Sequence, residues 1–102
     1  MNTKSKARRT LEKILGGPLT LGELLNAIRQ GEGWSQTEMA TRLEVSRSHL
    51  CDIEKGRKTV APARAARFAA ALGYSEAQFV RLALQDLIED AGLMMTVEVR
   101  IA

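Results

Sequence analysis

Residues 35–54, SQTEMATRLEVSRSHLCDIE, read as two short amphipathic helices joined by a corner too tight to be anything but packed. Ser35 is placed to cap the first helix, Glu38 completes a capping box three residues on, and Met39, Ala40 and Leu43 form its apolar stripe. Glu44-Val45-Ser46 interrupts that pattern. Ser46 then caps a second helix in which Val45, Leu50 and Ile53 turn inward, while Arg47, Ser48, Cys51, Asp52 and Lys55 share the opposite face. A helix anchored on one side and polar and basic on the other suits a DNA major groove, where Arg and Ser reach base edges.

Working outward, Thr20 with Glu23 predicts a capped helix to about Gln30 with Leu21, Leu24, Leu25 and Ile28 inside, stopped by Gly31-Glu32-Gly33. Trp34 stands where a hydrophobic staple or a core plug belongs. Beyond the motif, Gly56 to Ala61 is a basic loop, and Pro62 opens a helix through Leu72 that Gly73 ends, with Phe68, Ala69 and Leu72 closing the core. Ser75 with Gln78 opens a long helix to about Ala91, whose apolar band from Phe79 to Ile88 is wider than one small core needs.

After Gly92 the pattern changes to period two, which places Leu93, Met95, Val97, Val99 and Ile101 on one face of a β-strand. No second stretch reads as a strand, so its partner is expected outside the chain. The simplest is the same strand of a second copy, with Met95, Val97, Val99 and Ile101 in the dimer strand; a free tail and a strand added to another protein are the alternatives. The expected organisation is a basic N-terminal arm over 1–18, helical from Ala7 to Leu15 or else a free arm, a DNA-binding unit over 19–73, and a dimerising helix and strand over 74–102.

With 102 residues the chain has room for one modest domain. It is 45% apolar but only 4% aromatic, and rich in Leu and Ala, as packed helices are. No apolar run approaches the roughly 20 residues of a membrane span, and no secretory signal is evident, so a cytoplasmic protein without membrane contact is expected. The single cysteine, Cys51, excludes an internal disulfide, and with only His49 beside it a zinc site is implausible; no metal or cofactor is expected. The net charge of +3 is uneven. Residues 42–67 carry seven basic against three acidic side chains, whereas residues 76–98 set Glu76, Asp86, Glu89, Asp90 and Glu98 against Arg81 alone. The basic part suits phosphates and the acidic part turns away from them, although ordinary solvated helix faces give the same tally.

The segment from about Leu19 to Leu72 resembles the helix-turn-helix of the phage repressor and Cro superfamily, the XRE family. The resemblance rests on Gln36 and Ala40, the Leu43-x-Val45-Ser46 corner, Leu50 and Ile53, and the exit Ile53-Glu54-Lys55-Gly56-Arg57. It implies an all-α, five-helix domain like that of lambda repressor, here with a C-terminal β-strand pairing across a dimer. It further implies that Gln36, Arg47, Ser48 and Asp52 contact bases, and that Arg29 and Glu54 form a structural ion pair. Glu44 departs from the pattern, standing where the family usually has Gly, and a left-handed backbone there costs about 1 kcal/mol.

Arg47 suits a bidentate contact to guanine, Gln36 either a base or a phosphate, and Asp52 either a cytosine amino group or an ion pair with Lys55 or Arg47. Arg42, Lys55, Arg57, Lys58 and Thr59 are expected on phosphates. The function expected is a sequence-specific transcriptional repressor, a homodimer on palindromic double-stranded DNA. The alternative is an antitoxin, of the HigA or HipB type, that neutralises a toxin and represses its own operon. An enzyme is not expected: His49, Cys51, Asp52 and Glu54 are close in sequence, but on a helix His49 and Asp52 diverge from Cys51, and no glycine-rich phosphate loop or metal spacing accompanies them.

Overall fold

A computed structural model describes residues 19–102. The basic arm over residues 1–18, with its expected helix, lies outside the described residues. Five helices make up the regular structure of the rest: α1 (Leu21–Glu32), α2 (Gln36–Leu43), α3 (Arg47–Glu54), α4 (Pro62–Leu72) and α5 (Glu76–Asp90). Each start has a local cause. Thr20, Ser35, Ser46 and Ser75 accept the backbone N–H three residues on, at 3.0–3.2 Å, and Ser35 with Glu38 forms a full capping box. Pro62 starts α4 without a side-chain cap.

The helix ends differ slightly from expectation. Gly31 lies inside α1, and the stop is Gly33 at φ 72°, where the left-handed turn returns its N–H to Arg29 and Gln30. Glu44 caps α2 at φ 58°, ψ 41°, the one non-glycine residue with positive φ among the described residues. A carboxylate side chain thus occupies a position where glycine would be free of strain, and the corner between α2 and α3 is held by packing around it.

One core joins all five helices. Leu21, Leu24, Leu25 and Ile28 of α1 meet Met39, Ala40 and Leu43 of α2, Leu50 and Ile53 of α3, Phe68 and Ala69 of α4, and Phe79, Leu82 and Ala83 of α5. Leu19 and Val60, outside the helices, close its edge, while Trp34, Val45, Leu72 and Tyr74 pack against it partly exposed. At Gly22 α1 lies directly against the backbone of α3. A Cβ added there would run into the carbonyl oxygen of Ile53, backbone that no side-chain rotation can move aside.

The third structural link is polar. The Asp86 carboxylate of α5 accepts the backbone N–H of Leu21, the first residue of α1, at 3.1 Å. Burial pushes the Asp86 carboxyl up to about 6, against the pull of that hydrogen bond, and Glu89 and Glu23 push in the same direction as burial.

The strand expected over Leu93–Ile101 is not formed within this chain. Residues 93–102 carry no ladder, and the described residues contain no strand. The physical reason is the one that made a partner necessary: a lone extended segment has no neighbouring backbone to pair with. A side chain serves instead. Gln85 donates from Nε2 to the Met95 carbonyl and accepts on Oε1 from the Val97 N–H, both at 2.8 Å.

Two outcomes are expected. Gly22→Ala should separate α1 from α3 and destabilise the fold by roughly 1–3 kcal/mol, as overpacking does, read as a lower urea midpoint at unchanged slope. For Asp86, a folded pKa raised above the unfolded value means stability is fully present below about pH 4 and declines as pH rises through about 6. Asp86→Asn keeps an acceptor for Leu21 but does not titrate. Its stability relative to the parent should therefore rise between pH 4 and pH 7, by on the order of 1 kcal/mol for a partly screened carboxylate, in paired denaturation curves.

Candidate nucleic-acid interface

The helix that faces outward is fixed from behind by one carboxylate. Glu54, the last residue of α3, has a side chain only 3% exposed. It accepts Arg29 Nε at 2.8 Å and a second guanidinium nitrogen of Arg29 at 3.1 Å, Asn26 Nδ2 at 3.1 Å and Gln36 Nε2 at 3.1 Å. Burial by itself would push the Glu54 carboxyl up. The bonds from Arg29, Asn26 and Gln36 outweigh that and hold it below the ordinary carboxylate range, so it stays ionised. Arg29 also donates to the Trp34 carbonyl at 3.2 Å. The hub therefore ties α1, the turn before α2 and the first residue of α2 to the C-terminus of α3.

With its back so fixed, α3 presents Arg47 and Ser48 exposed at its first turn, where Ser46 caps it and where backbone N–H groups point outward. Lys55, Gly56, Arg57, Lys58 and Thr59 follow as an exposed loop, anchored by the buried Val60. Gly56 at φ 76° turns this loop back so that the N–H groups of Arg57 and Lys58 reach the Asp52 carbonyl, at 2.8 and 3.3 Å. The Asp52 side chain does the same for the cations, with Arg57 at 3.4 Å and Lys58 at 3.7 Å. Its partners are thus Arg57 and Lys58, not the Lys55 or Arg47 expected from helical spacing, because the turn brings loop residues closer than the next turn of the helix does.

The other expected contacts fall in different surroundings. Gln36 is half-buried with its amide nitrogen on Glu54, which leaves its Oε1 as the polar atom not bound to the hub. Arg42 lies 4.1 Å from the centre of the Trp34 ring, stacked as a cation on an aromatic face. His49, on the flank of α3, lies 3.5 Å from an Arg64 guanidinium nitrogen of α4. Its pKa is lowered by partial burial, then by Arg64 and Lys58, with Asp52 opposing, which favours a neutral ring able to accept from Arg64. Cys51 is half-buried.

The profile of a family described as a helix-turn-helix domain matches residues 20–82, well over half of the chain and all of α1 to α4. The chain belongs to that family, and its helix-turn-helix is of the XRE and Cro kind. No curated protein and no solved structure matches it. Within this helix-turn-helix domain α2 and α3 are the motif itself, and the match points to a DNA-binding regulator. No helix among the described residues is long and apolar enough to cross a membrane.

Sequence reasoning missed three members of this arrangement. Asn26 joins the Glu54 hub from α1, Arg64 meets His49, and Asp52 gathers the loop. Asn26 lies three residues before Arg29 and so shares its helix face, a signal present in the spacing. The other two depend on the path of the chain after Gly56. Glu54→Ala should leave the Arg29 guanidinium without its counter-charge. A loss of about 3 kcal/mol or more in chemical denaturation is the expected result, with Glu54→Gln intermediate.

Proposed function

We propose that the protein is a sequence-specific transcriptional repressor that binds a palindromic operator as a homodimer and acts in the cytoplasm. The observation that carries the reading is the contrast between the two sides of α3. Its inner side is fixed by Leu50, Ile53 and the Glu54 hub, and its outer side offers Arg47 and Ser48 beside a cationic loop. A rigidly held helix that presents exposed hydrogen-bonding side chains is what direct readout of base edges requires.

In this reading Arg47 makes the bidentate contact to a guanine, and Ser48 adds a second contact to a base edge. Gln36, through the oxygen not bound to the hub, reaches a base or phosphate near the start of α2. Lys55, Arg57, Lys58 and Thr59 hold phosphates, with Arg42 braced on Trp34 as a further positive charge. Asp52 either accepts from a cytosine amino group or stays with Arg57 and Lys58. The two roles exclude each other, since its contact with DNA bases needs the carboxylate to turn from the loop. Dimerisation brings two copies of α3 to successive major grooves, about 34 Å apart, and the apolar segment 93–101 supplies the contact. The exposed acids at the end of α5, Glu89 and Asp90, with Glu98 beyond, support a second role as antitoxin for a basic toxin, compatible with repression by the same domain.

Selection from a random DNA pool with the full chain tests the reading. A palindromic site is the expected product. Arg47→Ala should weaken binding to it by roughly 1–3 kcal/mol and relax one position of the sequence, whereas Lys58→Ala should weaken all sequences alike and reduce the salt slope by about 1. Enrichment of no sequence would overturn the reading.

A further inference from the structure

Gln85 does for residues 95–97 what a neighbouring strand does. In an extended chain, residues two apart direct their N–H and C=O groups to the same side, and the amide of Gln85 closes one such pair with Met95 and Val97. That edge is therefore covered by α5. The opposite edge belongs to the backbone groups of Thr96, Glu98 and Arg100, and among the described residues none of these meets a hydrogen-bond partner. The side chains on either side of this segment also differ. Val97 and Val99 are half-buried, Met95 and Ile101 are 61% and 89% exposed on the same alternation, and Glu98 and Arg100 point outward together, 3.6 Å apart.

We propose that the even edge of residues 96–102 pairs antiparallel with the same edge of a second copy, with the two-fold axis at Val99. The register follows from charge and from edge. With Val99 facing Val99 of the other copy, Glu98 stands opposite Arg100 in both directions, and Val97 stands opposite Ile101. Sliding the pair so that residue 98 or residue 100 faces its own copy would oppose like charges. The edge agrees independently. If Glu98 and Arg100 supply the hydrogen-bonding groups, they form the hydrogen-bonded pairs and Val99 falls at a non-hydrogen-bonded site on the axis. The apolar side of the ribbon then carries Val97, Val99 and Ile101 of both copies against the two α5 helices, where Leu87 is 40% exposed. Gln85 is a positioning residue here: its two bonds pin Met95 and Val97 to α5 before the second copy arrives, which reduces the ordering cost of association. The proposal rests on the dimer reading above and fixes its contact.

The test uses the full chain carrying Cys51→Ser, with sedimentation to measure self-association and mild oxidation to trap register. Cα atoms at a non-hydrogen-bonded pair lie about 4.5 Å apart, within disulfide range. Val99→Cys should therefore crosslink into a covalent dimer, and Thr96→Cys, far from its own copy in this register, should not. Glu98→Arg and Arg100→Glu should each weaken the dimer roughly tenfold or more, and the double exchange should restore it to within a few-fold. Gln85→Ala should weaken it as well, with unchanged helix content. A monomer at concentrations well above those that saturate DNA overturns the proposal together with the dimer reading and leaves DNA binding standing. A dimer that crosslinks through Thr96→Cys instead, or that the charge exchange does not restore, overturns the register alone. A dimer indifferent to Gln85→Ala overturns the role given to that residue.

Discussion

The carboxylate of Glu54 is the interaction on which the arrangement of the outer helix depends. It is almost fully buried at the end of α3, and a buried charge without partners would cost several kcal/mol. Four donor atoms from three side chains surround it, and they come from two other helices. The bonds thus have a geometric consequence beyond their energy. They hold α3 against α1 and α2 at its C-terminal end, while Leu50 and the Ser46 cap hold the rest. What is left over, the first turn of α3 and the loop behind it, is presented to solvent with its backbone already fixed.

Close packing at one point makes the hub possible. Because Gly22 has no side chain, α1 can approach the backbone at Ile53, one residue before Glu54. The same approach brings Asn26 and Arg29, one and two turns further along α1, within reach of the carboxylate. Glycine and glutamate therefore act as a pair: one removes a side chain where the helices cross, and the other uses the proximity. The strained Glu44 corner is tolerated for a related reason, since Leu43 and Val45 on either side of it are packed into or against the core.

Charge is divided more sharply along the chain than in space. The cations of the 55–58 loop sit beside the exposed end of α3, and Asp52 draws two of them together before any partner is bound. The acids of α5 are not remote from that loop: Asp86, Glu89 and Asp90 line a cleft with Gly56, Lys58 and Thr59. One of these, Asp86, is turned inward to the start of α1, where burial raises its pKa and makes the contact between α5 and α1 dependent on pH. The C-terminal segment is treated likewise by Gln85, a polar side chain satisfying backbone groups that a neighbouring strand would otherwise meet.

The five helices were legible in the sequence because their signals are local. A cap such as Ser35 or Ser46, an apolar stripe and a terminal glycine each act within a turn or two of the chain, and the Arg29 and Glu54 pairing was legible only through the resemblance to the repressor family. Gly31 shows the limit of local reading, since a glycine inside a packed helix is tolerated where the next one, Gly33, takes the left-handed turn. The partners of Asp52, the contact between His49 and Arg64, the capture of Gln36 by Glu54, and the hold of Gln85 on the tail were decided only by tertiary structure. Each joins residues whose separation is set by how one helix lies on another or by the direction a loop takes after a turn. Periodicity along a single element specifies which face a side chain shares, but it contains no information on which of the neighbouring elements that face will meet.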